Sequence, residues 1–139
     1  KMVPASSAGG VRAGVVTRKE RPETVATAIR IGRPQSWDLA RAAQQESQGW
    51  FLAFSDEEIL SAQRDVAERD GIFCEPASAV CLAGVRESID SGGIPDGSVI
   101  VCTLTGHGLK DPDTAIAQSP VPTCVRADAA EVRAIILAD

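Results

Sequence analysis

Apolar residues fall along this chain in two alternating patterns, unbroken runs and spaced stripes, and each predicts a different element. Trp50 to Phe54 (W-F-L-A-F), Ile72 to Cys74 and Val99 to Leu104 (V-I-V-C-T-L) are unbroken runs. Runs of that kind predict strands covered on both faces, as in a parallel sheet. The stripes lie between them. Ser36 can cap a helix through Trp37, Leu39, Ala40 and Ala43 to about Ser47, with Gly49 as its stop. Ser55 and Glu58 stand at capping-box spacing ahead of Ile59, Ala62, Val66 and Ala67, and Gly71 ends that helix. Pro76, at a first-turn position where its missing N–H costs nothing, opens another helix to about Ser91. That helix is apolar on most sides, so it is expected to be largely buried.

Gly92-Gly93 and Pro95-Asp96-Gly97 predict the turn into the last run. Beyond it come a polar, glycine-containing loop, Pro112, and a linker with Pro120 and Pro122. Asp128 and Glu131 repeat the capping-box spacing before a final helix with Val132, Ile135 and Ile136. Strand and helix signals in alternation predict an α/β fold. The residues before Ser36 show only weak periodicity, and Arg18 to Arg21 reads as a solvated charged loop.

Composition narrows the function. At 139 residues, with 44% hydrophobic and 24% charged residues, the chain has globular proportions. A formal net charge of -5 leaves no basic excess to neutralise phosphates, which argues against a nucleic-acid partner. No apolar run approaches the roughly 20 residues that span a bilayer, so no membrane partner is expected. The chain starts Lys1-Met2-Val3-Pro4, without an apolar signal-peptide region, and Lys1 ahead of Met2 implies processing or further sequence upstream. Among Cys74, Cys81, Cys102 and Cys124 there is no C-x-x-C pair, and His107 has no partner at metal-ligand spacing. Cys74, Cys81 and Cys102 read as small buried hydrophobes, no metal site is expected, and a reducing cytoplasmic location fits best.

Ligands of parallel α/β sheets bind beyond the carboxyl ends of the strands. Two segments leave such ends: Cys74-Glu75-Pro76-Ala77-Ser78-Ala79 and Thr103-Leu104-Thr105-Gly106-His107-Gly108. Thr105 offers a hydroxyl, which suits a heteroaromatic nitrogen that stays unprotonated, and the glycines allow close backbone approach. The bland alternative is a glycine turn closing a strand. Glu75 reads equally as a helix N-terminal carboxylate or a site group. His107 lacks a nearby carboxylate or nucleophile, and Lys110-Asp111 reads as a local surface pair.

The stretches A-T-A-I-R-I-G-R-P-Q-S-W (Ala26 to Trp37), S-D-E-E-I-L (Ser55 to Leu60), E-P-A-S-A (Glu75 to Ala79) and C-T-L-T-G-H-G-L-K-D-P (Cys102 to Pro112) together resemble the threonine synthases. These belong to the tryptophan-synthase-β-like, fold-type II pyridoxal-phosphate enzymes. The resemblance implies a three-layer α/β/α sandwich with a mainly parallel sheet, present here in part. Residues 1–117 would be the C-terminal part of the large cofactor-binding domain, and residues 118–139 a C-terminal tail with a helix. It implies a lyase that converts O-phospho-L-homoserine and water to L-threonine and phosphate, a homodimer when complete, with pyridoxal 5'-phosphate as cofactor. Thr105 matches the hydroxyl residue that pairs with the pyridine nitrogen, with Gly106 beside it. Thr27 and Ala28 match the segment whose backbone lines one ring face, and Glu75 matches a carboxylate near the cofactor.

The resemblance also implies what lies elsewhere. The Schiff-base lysine and the glycine loop for the cofactor phosphate stand upstream in this family, and Lys1, Lys19 and Lys110 are not in the lysine's motif. No catalytic residue is therefore assigned within the chain, and the chain alone is expected to be inactive. Arg33 replaces an asparagine common after R-I-G, and Ser6-Ser7-Ala8-Gly9-Gly10 departs from the family's usual loop. A threonine dehydratase-like enzyme and a non-catalytic α/β ligand-binding module are the alternatives.

Overall fold

Ser55 accepts the Glu58 N–H through its hydroxyl at 3.3 Å, while the Glu58 carboxylate accepts the Ser55 N–H at 2.7 Å. This reciprocal cap starts one of five α-helices in the computed structural model, which describes residues 18–138. The helices are α1 (Trp37–Glu46), α2 (Asp56–Asp70), α3 (Pro76–Asp90), α4 (Pro112–Gln118) and α5 (Ala129–Ile136). Two 3-10 turns, Thr27–Ile29 and Gly108–Lys110, lie among the connections. Lys1 and the Ser6 to Gly10 stretch fall outside the described residues.

The core forms where α2 packs on α3. Ile59, Ala62 and Val66 from α2 meet Ala79 and Ala83 from α3, with Ala26 and Cys74 completing the cluster. Gly71 ends α2 in the left-handed region at φ 68°, where a Cβ would be strained. Gln63 is buried in the α2 face, and its Nε2 donates to the Cys74 carbonyl at 2.7 Å, so the helix also holds the chain that enters α3. Ahead of this core, Asp56 in the first turn of α2 accepts the Thr24 hydroxyl and the Val25 N–H, at 2.5 and 3.1 Å.

The helix boundaries read from the sequence agree closely with those observed, with three differences. Ser36 precedes α1 without a side-chain cap, and Gln48, not Gly49, takes the positive φ of 53°. The Pro112 region forms a helix, α4, where the sequence suggested a loop and linker. At α5, Asp128 accepts the N–H groups of Ala130 and Glu131, but Glu131 pairs with Arg126 in place of closing a box. Burial of α3 is partial: Pro76, Ser78, Ala79, Ala83 and Ser88 are buried, whereas Ile89 is exposed.

The expected strands behave differently. Among the described residues the runs at 50–54, 72–74 and 99–104 form no strand ladder, and the β pairing there is one antiparallel bridge between Cys74 and His107. A strand exists only when its N–H and C=O groups find a neighbour. Here Val99 and Val101 are 94% and 87% exposed, so a run patterned for cover on both faces lies open. The mainly parallel sheet is thus not formed within residues 18–138.

Candidate functional site

The Cys74–His107 bridge sets two chain segments side by side. Glu75 N–H donates to the Gly106 carbonyl at 3.0 Å, and Gly108 N–H donates to the Phe73 carbonyl at 3.0 Å. The bridge thereby joins the entrance of α3 to the Thr105 loop, the two segments singled out from the sequence. Both glycines are required by what lies on them. A Cβ on Gly106 would run into the Glu75 carboxylate, and one on Gly108 would run into the Phe73 ring. The Phe73 ring also meets His107 edge-on, with centroids 5.3 Å apart.

Glu75 is 4% exposed and Gly106 is buried, whereas Thr105 is exposed. The Thr105 hydroxyl lies 3.3 Å from the hydroxyl of Ser78, a buried residue in the first turn of α3. Ser78 Oγ in turn accepts the Gly106 N–H at 2.9 Å. Thr27 and Ala28, both exposed, form the 3-10 turn that packs against α3. That turn is tied to the Thr105 loop through Asp111, whose Oδ2 accepts the Thr27 hydroxyl at 2.9 Å and whose Oδ1 accepts the Thr114 hydroxyl at 3.0 Å.

Asp111 corrects one sequence reading. It is not half of a surface pair with Lys110 but a residue only 7% exposed. Burial works to raise its pKa, yet the hydrogen bonds from Thr27 and Thr114 outweigh it and hold the carboxyl below the ordinary carboxylate range. Ser78 is the other group that sequence reasoning passed over, although it stands within E-P-A-S-A. The available signal for Asp111 was Thr114 three residues on, ahead of a helix that Pro112 starts. His107 uses Nδ1 to accept the Leu109 N–H at 3.2 Å, a turn-capping role.

The cysteines are all free thiols. Cys74 is buried as expected, but Cys81 and Cys102 are only partly buried and Cys124 is exposed. Burial first, and then the neighbouring Cys102, push the Cys81 thiol up to about 11. Among the described residues no group of His, Cys, Asp and Glu could hold a metal ion, and no helix is long and apolar enough to cross a membrane. Two hollows of about 290 and 300 Å³ lie beside α3, and neither is lined by Thr105, Gly106, Glu75, Thr27 or Ala28. Of the candidate residues Thr105, Thr27 and Ala28 are exposed, whereas Glu75 and Gly106 are buried.

Comparison with known proteins gives this geometry a context. A family profile described as "Pyridoxal-phosphate dependent enzyme" matches residues 3–106. The chain is 49% identical over 132 residues to threonine synthase of Mycobacterium leprae (strain TN), covering 95% of this chain and 37% of that protein. It is 52% identical over 106 residues to threonine synthase of Halalkalibacterium halodurans, covering 76% of this chain and 30% of that protein. With threonine synthase of Synechocystis sp. (strain ATCC 27184 / PCC 6803 / Kazusa) the identity is 54% over 98 residues, 70% of this chain and 25% of that protein. The chain therefore spans between 25% and 37% of the length of these relatives. With the family profile matching well over half of its residues, the chain belongs to the pyridoxal-phosphate-dependent enzymes, an α/β family.

Proposed function

We propose that this chain is the C-terminal portion of a threonine synthase, which when complete converts O-phospho-L-homoserine and water to L-threonine and phosphate. The observation that supports it most is identity of about half to threonine synthases across most of the chain. In this reading the sequence continues into a three-layer α/β/α sandwich. The runs at 50–54, 72–74 and 99–104 then become strands once neighbours supply their ladder partners. Residues 1–117 belong to the large cofactor-binding domain and residues 118–139 to a tail. The complete protein is a cytoplasmic homodimer.

The residues present fit pyridoxal phosphate as far as its ring nitrogen is concerned. The neutral hydroxyl of Thr105, an exposed residue, would donate to an unprotonated pyridine nitrogen, which a carboxylate at that position would hold protonated. Gly106 would contribute backbone beside the cofactor, and the Glu75 carboxylate fills the space a side chain there would need. Backbone of the Thr27–Ile29 turn, which includes Ala28 and is tied to Asp111 through Thr27, would help to hold the ring. The bound cofactor supplies an electron-withdrawing ring to the substrate amino acid. The lysine that would hold it covalently stands outside these 139 residues, so this chain alone turns over no substrate.

Assay of the complete protein tests the reading. O-phospho-L-homoserine should release phosphate in step with threonine formation, and L-threonine should yield little oxo acid. Deamination of L-threonine with no action on O-phospho-L-homoserine would transfer the chain to the dehydratases.

A further inference from the structure

The run at 99–104 and the residues after it pass along one face of α3 in a fixed register. Ser78 lies 3.3 Å from the Thr105 hydroxyl and accepts the Gly106 N–H at 2.9 Å. One helical turn on, Cys81 Sγ lies 3.9 Å from the Thr103 carbonyl oxygen. Residues three apart share a helix face, so the run passes that face in the opposite direction, with Cys102 directly before Thr103. Cys102 stands on the helix side of the run. Leu104 packs against the core cluster, and residues two apart share a side of an extended chain. Exposure follows that alternation, with Val101 and Thr103 exposed and Cys102 and Leu104 half-buried. The two thiols are accordingly neighbours, and Cys102 acts on Cys81 through both charge and a hydrogen bond. Cys81, also half-buried, lines the hollow of about 300 Å³ beside α3, whereas Cys74 is 2% exposed.

We propose that Cys81 and Cys102 form a redox-sensitive pair, which a low-molecular-weight disulfide converts to an intramolecular bridge that pins the run to α3. The inference does not depend on the threonine synthase reading. Burial first, and then Cys102, hold the Cys81 thiol up at about 11, so Cys102 makes the first attack. Its thiolate attacks one sulfur of the small disulfide, forming a mixed disulfide and expelling one thiolate. Cys102 then carries no charge, and its part of the upward push on Cys81 is gone. Cys81 attacks the Cys102 sulfur, the new S–S bond of about 2.05 Å forms, and the second small thiolate leaves. The protein pair gives up two electrons and two protons, which depart with the two small thiols.

The test treats the complete protein with oxidised glutathione at neutral pH and maps its peptides without reduction. Cys81 and Cys102 should appear as a linked peptide pair within a single chain, and dithiothreitol should release them. Cys124, which is exposed, should carry glutathione and so report that the reagent has acted. In Cys81→Ser the glutathione should stay on Cys102. The oxidised wild type should unfold at a higher urea concentration than the reduced form, a difference that Cys81→Ser should lack. Free thiols or separate adducts at Cys81 and Cys102, in protein whose Cys124 has reacted, would overturn the inference. So would a Cys102 that takes up no glutathione in Cys81→Ser, or a linked pair that leaves the urea midpoint unchanged or lowers it.

Discussion

The Thr27 hydroxyl donates to Asp111 Oδ2 across a separation of 84 residues, joining the Thr27–Ile29 turn to the loop that carries Thr105. Nothing in the local sequence at either end requires the other. Their meeting is a tertiary fact, and it places one carboxylate in charge of the spacing between two walls of the candidate site.

Removing that carboxylate should loosen both walls. Asp111→Ala should destabilise the complete protein by about 2–4 kcal/mol, because a buried carboxylate receiving two hydroxyl donors is lost. Asp111→Asn should be milder and should change the pH response. The Asp111 pKa is lowered on folding, so its contribution is present above the unfolded value of 3.8 and is lost as pH falls through the lower folded value. Denaturant melts should therefore show the wild-type advantage over Asp111→Asn shrinking on acidification below about pH 4. An advantage that stayed constant into stronger acid would contradict this account.

Gly106→Ala should be destabilising for a reason that lies on another residue. The added methyl meets the carboxylate of Glu75, a buried residue whose backbone N–H donates to the carbonyl of the same glycine. A loss of about 1–3 kcal/mol is expected, as for other overpacked sites. Glu75→Ala in the same chain should recover part of it, so a double-mutant cycle should be non-additive. Strict additivity would mean that the two side-chain positions do not compete.

Thiol reactivity should follow exposure. Cys124 should react first with an alkylating reagent at neutral pH, and Cys74 last. Cys81 should stay a thiol until strongly alkaline pH, since its pKa is raised to about 11 by burial and by Cys102. A group raised in this way favours the folded state below its unfolded value of 9.0. That favour is lost as pH rises through about 11, so alkaline melts should weaken across this window. Rapid alkylation of Cys81 at neutral pH, read by peptide mass mapping, would count against it.

The 139-residue chain on its own should expose sticky surface. Val99 and Val101 face outward, and an unpaired apolar run is a template for another strand. The isolated chain should bind a hydrophobic dye and self-associate, and Val99→Lys with Val101→Lys should reduce both. A dye-silent monomer with a cooperative melt would show that the chain satisfies itself.

What the sequence made legible was local. Ser55 and Glu58, Gly71, and Pro76 are capping signals whose chemistry is complete within a few residues, and the helices start or stop where those residues stand. The Thr105 and Glu75 segments were legible as a pair only through their positions after apolar runs, and they do come together at the Cys74–His107 bridge. The sheet was a different matter, because V-I-V-C-T-L records a preference for being covered but holds no partner of its own. Asp111 and Ser78 were hidden for the opposite reason. Each looks like an ordinary turn or helix residue until its distant partner, Thr27 or Thr105, is folded against it.

In the proposed function Thr105 presents its hydroxyl to a pyridine nitrogen. A crystal structure of the complete protein with pyridoxal phosphate measures this directly. Thr105 Oγ1 should lie about 2.6–3.0 Å from the ring nitrogen, a normal hydrogen-bond length. A ring whose nitrogen meets a carboxylate or open water, with Thr105 turned elsewhere, would contradict the account.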